Sequence, residues 1–160
     1  MENIIPKEVE NITFINRPIP VPYNYRIVYK ITQITLIIHI CSGRKACSLT
    51  KIHMISTSLN SKEEFDNLLD YIIHNRHAIN LVRFDPSINR AVDFALAEGI
   101  LLRQKNGLFK LSPKGKEFVE NIIKDKNLFI FEKNQLNQLG GNLTEDKIER
   151  LIAMWSDMYA

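Results

Sequence analysis

Apolar residues recur along this chain at helical spacing in several separate stretches. From Tyr25 to Ser42, Ile27, Ile31, Ile34 and Ile38 form one stripe, widened by Val28 and Ile37. So many β-branched residues would suit a strand, but alternation fails at Gln33 and at the Ile37-Ile38 pair. The period therefore predicts a helix, closed by Gly43. Ser48 is placed to cap a shorter helix with Leu49, Ile52, Ile55 and Leu59 inward. Ser61-x-x-Glu64 is a capping box, and Phe65, Leu68, Leu69, Ile72 and Ile73 follow on one face as far as Asn75. A short strand is predicted over Ile79–Phe84.

The stretch from Asp85 to Ile123 has the most punctuation. Asp85-Pro86 is a cap followed by a proline at the first helical position. Ile88, Ala91, Val92, Ala95 and Leu96 make its apolar face, and Gly99 stands where a left-handed C-cap is wanted. Ile100-Leu101-Leu102 and Leu108-Phe109-Lys110-Leu111 flank Asn106-Gly107, which predicts a two-residue hairpin turn. Ser112-Pro113 repeats the cap-then-proline start ahead of Phe118, Val119, Ile122 and Ile123. After Gly140-Gly141, Thr144 caps a last helix whose apolar face is Ile148, Leu151, Ile152, Trp155 and Tyr159.

The order helix, hairpin, helix, with Leu-x-x-Gly-Ile-Leu and then Gly-Leu-Phe-x-Leu-Ser-x-Lys-Gly, resembles winged-helix domains of small bacterial regulators. The expected architecture is mainly α: a winged helix-turn-helix (α+β) with an inserted helix and an added C-terminal helix. Residues 1–24 read as an extended arm, because Pro18, Pro20 and Pro22 alternate and forbid helix. Residues 25–126 read as the winged-helix domain with a helical insertion at 61–84, and residues 127–160 as a C-terminal helical appendage. The insertion is unusual. Helices of such a motif are ordinarily joined by only a few residues.

With 45% apolar and 24% charged residues, the composition is that of a soluble globular protein. Cys41 and Cys47 offer no disulfide framework and fit a reducing compartment. The N-terminus lacks a basic leader region, and the run Ile31–Ile40 is too short to span a bilayer. A cytoplasmic protein without membrane contact is expected.

No nucleotide-loop, nucleophile-elbow or zinc-protease motif occurs. His39, Cys41, Cys47 and His53 match no common zinc spacing, so no metal, cofactor or small-molecule substrate is expected. His74 and His77 are simplest as partners of a helix C-terminus.

Charge divides unevenly. Residues 100–126 carry seven basic side chains against three acidic, while residues 61–99 carry four against seven. The candidate phosphate contacts are therefore Arg103, Lys105 and Lys110 on the wing. On the helix that would read DNA, the solvent side is predicted to show Arg90, Asp93, Phe94 and Ala97. Base reading favours Arg, Asn or Gln with few carboxylates nearby, so this face suits a protein contact better. Arg90 and Phe94, together with Phe14 in the arm and Trp155 in the last helix, are the candidate partner contacts.

The layout Asn16-Arg17-Pro18, Tyr25-Arg26, the apolar helix to His39, Ser48-Leu49-x-Lys51-Ile52-His53 and the winged end resembles the small middle component of ABC-three-component systems. These include the Lamassu type of bacterial defence. The resemblance implies a non-enzymatic subunit bound to an SMC-like ATPase and an effector nuclease, acting on phage or plasmid DNA, with DNA touched through the complex. The alternative is a homodimeric winged-helix transcription regulator.

Overall fold

A computed structural model describes residues 20–43, 45–76 and 81–159. Those residues fold into seven helices and one small antiparallel hairpin. A 3-10 turn (Tyr23–Tyr25) leads into α1 (Ile27–Cys41), followed by α2 (Leu49–Ser58), α3 (Lys62–His74) and α4 (Pro86–Ala97). Strands β1 (Leu101–Arg103) and β2 (Phe109–Leu111) come next, then α5 (Pro113–Lys124), α6 (Ile130–Leu139) and α7 (Glu145–Tyr159).

The element at the centre is α1. It packs against α2, α4, α5, α6 and β2, and every residue from Thr32 to Ile38 is buried. A helix enclosed nearly all round through its later turns is a core helix, which accounts for apolar residues on several of its faces. The exception is Val28. Predicted to widen the buried stripe, it is 74% exposed, because only the later turns of α1 are enclosed on every side. Ile73 and Ile152 are likewise exposed at the edges of their helices' inward faces.

The predicted caps form. Ser48, Ser61, Asp85, Ser112 and Thr144 each accept a backbone N–H at the start of α2, α3, α4, α5 and α7. Glu64, expected to complete a capping box, turns its carboxylate to Arg83. At the far end of α4, Gly99 (φ +67°) donates to Leu96 O and Ile100 N–H to Ala95 O, the paired bonds of a Schellman motif.

β1 and β2 pair Leu101 with Leu111, Leu102 with Lys110 and Arg103 with Phe109. Cys47 adds one further rung through reciprocal bonds to Phe109, both 2.8 Å. The hairpin turn differs from the two-residue form expected. Gln104 N–H donates to Leu108 O, Gly107 N–H to Gln104 O, and only Gly107 takes a positive φ (+82°). This is a three-residue loop, which needs one left-handed residue where the shorter turn needs two.

Two further corrections follow. Of the strand expected over Ile79–Phe84, the described part, 81–84, is not a strand: Leu81 is buried in the core while Phe84 is 72% exposed. The run Leu128-Phe129-Ile130-Phe131 leads into α6, an element the sequence pattern did not announce. Both C-terminal helices pack on the rest: α6 lies against α1, and α7 against α2. Tyr71 Oη donates to Lys147 O (2.7 Å) and Lys147 Nζ to Ile72 O (3.0 Å), clasping α7 to α3. No helix among the described residues is long and apolar enough to cross a membrane. The arm residues Ile12, Phe14, Ile15 and Ile19, with His77 and Ile79, lie outside the described residues.

Candidate interaction surfaces

The outer face of α4 is built by what holds its inner face. Ile88, Ala91, Val92 and Ala95 are buried against α1, so the residues at intervening positions point outward. Arg90, Asp93, Phe94 and Ala97 are all exposed, as the helical period predicts, with 51% of Phe94 open to solvent. This face thus sets an exposed phenyl ring beside a carboxylate and a guanidinium.

The N-terminus of α4 is anchored by two polar devices. The first is His53 on α2, which is almost fully buried. Asp85 N–H donates to His53 Nδ1 (3.4 Å), so Nδ1 is the bare nitrogen and Nε2 carries the proton that reaches Asn89 Oδ1 (3.0 Å). The ring also stacks on Phe84, with centroids 5.6 Å apart. Asn89, the nearest residue to Arg90 able to read a base edge, is thereby occupied inside the protein. The histidine is satisfied by these contacts, with its ring nitrogens turned to α4.

The second device is a buried lysine that the sequence reading passed over. Lys30 is 2% exposed, and its ammonium faces Asp85 Oδ2 (3.4 Å), Ser56 Oγ (3.4 Å) and Gln33 Oε1 (3.5 Å). Ser56 Oγ in turn donates to Gln33 Oε1 (2.5 Å). Burial alone would raise the Asp85 carboxyl, but the Ser87 hydroxyl and N–H and the Lys30 ammonium outweigh it, so the group lies below its ordinary value. The available signal was the polar residue Gln33 inside an isoleucine-rich helix, one turn beyond Lys30.

Of the candidate wing cations, the hairpin separates two. Lys110 stands opposite Leu102 on one face, whereas Arg103 stands opposite Phe109 on the other and leans over that ring, 5.9 Å from its centroid. Lys105 is exposed in the loop. Lys114 donates to Glu98 O (2.7 Å), so it serves the C-terminus of α4. Trp155 is half-buried and packs against the core cluster. Phe14 lies outside the described residues.

The cysteines are inward thiols. Burial pushes Cys41 up to about 12 and Cys47 up to about 11, in each case despite the nearby Lys51 ammonium. Lys51 itself is buried and donates to Cys41 O (3.0 Å), where a cation complements the end of α1. No cluster of three or more metal-ligating side chains occurs among the described residues. No family model, curated protein or solved structure matches the chain.

Proposed function

We propose that this chain is a non-enzymatic accessory subunit, a winged helix that joins an SMC-like ATPase to its effector in a defence complex acting against phage or plasmid DNA. The order α1, α2, α4, hairpin, α5, with Cys47 adding a rung to β2, is compatible with a winged helix into which α3 has been inserted. One observation carries the functional reading. The helix that would enter a DNA groove presents Phe94 and Asp93 outward, while Asn89 is tied to His53. Apolar surface with a carboxylate is unfavourable against phosphates and favourable against a polypeptide.

The test is affinity capture from host cells with the ATPase read out as an SMC-like subunit in the captured material, using this chain and a Phe94→Ser/Asp93→Lys variant. The expected result is co-purification with the parent chain and its loss with the variant, whose melting temperature stays close to the parent's. Capture that ignores both substitutions overturns the assignment of this face.

The alternative, a homodimeric DNA-binding regulator, draws on exposed Lys105 and Lys110 at the hairpin. It requires duplex binding that falls steeply with salt and is abolished by charge reversal at Arg90, Arg103 and Lys105.

A further inference from the structure

A groove of about 690 Å³ lies on the other side of the hairpin from Arg103, between the end of α1, the Leu102–Lys110 face and the first turns of α5. That volume falls within the roughly 300–1,000 Å³ of ordinary ligand clefts. Its lining is two-part. Lys45, Lys110 and Lys116 supply three cations against the single carboxylate of Glu120, and Leu102 contributes an exposed aliphatic side chain on the Lys110 face. Leu102 is 43% exposed there, a large aliphatic side chain beside a lysine on an open strand face.

These three lysines share one groove, which the exposed Lys62, Lys105, Lys124 and Lys126 do not line. Lys30, Lys51, Lys114, Lys133 and Lys147 all spend their ammonium groups on partners within the chain. Lys45, Lys110 and Lys116 have no such partner among the described residues. Three cations without a partner among the described residues, beside the exposed Leu102, leave a site complementary to negative charge that also carries aliphatic groups.

We propose that this groove docks an acidic peptide segment of a partner protein, with carboxylates meeting the three lysines and an aliphatic side chain seated on Leu102. A nucleic-acid backbone fits less well. Its phosphates would gain nothing from the exposed Leu102 side chain, whereas a peptide can meet both the lysines and that aliphatic surface. The inference rests on the groove alone. Its failure leaves the reading of α4 untouched, because Phe94 and Asp93 are not part of it.

Fluorescence anisotropy of the full chain tests it, using a short labelled Glu-rich peptide with a central Leu pair. The probes for comparison are the same peptide with Gln for Glu, and a labelled duplex DNA. The expected result is saturable binding of the acidic peptide, weakened roughly tenfold by Lys110→Glu/Lys116→Glu. Lys45→Glu, on the separate segment between α1 and α2, and Leu102→Ser should each weaken it as well, with unchanged circular-dichroism melts. The Gln peptide should bind far more weakly. The proposal is overturned if the acidic peptide does not bind or does no better than the Gln peptide. It also fails if the substitutions leave affinity unchanged, or if duplex DNA binds more tightly in a manner indifferent to Leu102→Ser.

Discussion

Breaking the Lys30–Asp85 pair from its two ends should have unequal consequences. Asp85→Ala removes the cap of α4, whose Oδ1 accepts Ser87 N–H at 2.8 Å, at a cost of about 1 kcal/mol. It also leaves the Lys30 ammonium buried without a counter-charge. Stranding a fully buried ion costs about 3–5 kcal/mol, but Ser56 and Gln33 remain as acceptors and the Asp85 side chain is 21% exposed, which gives water a route inward. A reduced cost of about 2 kcal/mol is appropriate, for a total of about 3 kcal/mol. Lys30→Met removes the other end. Asp85 keeps both bonds from Ser87, Ser56 still donates to Gln33, and an aliphatic chain of similar length fills the space. That change should stay within about 1 kcal/mol of the parent, because the Asp85 carboxylate left behind is partly open to water and still hydrogen-bonded, and so is not a stranded buried charge.

Urea unfolding followed by circular dichroism separates the two cases. With a slope of about 2 kcal/mol/M, Asp85→Ala should lower the midpoint by about 1.5 M while Lys30→Met barely moves it. The carboxyl's lowered value fixes the pH window. Its stabilisation is present above the ordinary value of 3.8 and is lost as pH falls through the folded value. Asp85→Asn should therefore lack that acid-side loss. A Lys30→Met variant as unstable as Asp85→Ala would refute the reasoning, since the lysine itself would then be the source of stability.

Other expectations concern packing and the thiols. Gly115→Ala should destabilise by about 2–3 kcal/mol in a thermal melt, because the added Cβ runs into the Ile100 carbonyl oxygen. A gain, as Gly→Ala usually gives within a helix, would refute that close approach. Cys41 and Cys47 should react with a disulfide reagent at neutral pH only on unfolding, and prompt labelling of the native chain would contradict their burial. Since burial raises both thiols, their contribution is intact below the ordinary value of 9.0. It is lost as pH rises towards about 11 for Cys47 and about 12 for Cys41, which an alkaline unfolding series reads directly. Ser112→Ala should cost about 1–2 kcal/mol by urea unfolding, as its hydroxyl both accepts from Gly115 N–H (2.9 Å) and donates to Gly99 O (2.6 Å). An unchanged midpoint would refute that double role.

Much of this architecture is legible in local chemistry. Cap residues, the apolar period of α4 and Gly99 are short-range signals, and each yields the element it predicts because neighbours in sequence decide it. What escaped is decided at a distance. Helix α6 begins after Phe129, itself left-handed (φ 51°) and without a side-chain cap bond, so no starting signal exists. Lys30 looks like any surface lysine until α2 and α4 close over it. Phe84 resembles a strand residue, yet its place is set by the His53 ring. The outward face of α4 was readable, because its period is strong; the groove of Lys45, Lys110 and Lys116 was not, because three separate segments make it.

The rung between Cys47 and Phe109 closes a circuit that contains α2, α3 and α4. A circuit's closing entropy grows only logarithmically, by about 0.6 kcal/mol for each doubling of its contour. An extra helix can thus be spliced into it while the rung survives, provided the newcomer brings its own packing, as α3 does through Phe65 and Leu68. The same closure predicts an order of assembly: the Cys47–Phe109 rung, joining distant parts of the chain, is expected to form after the local β1–β2 pairs.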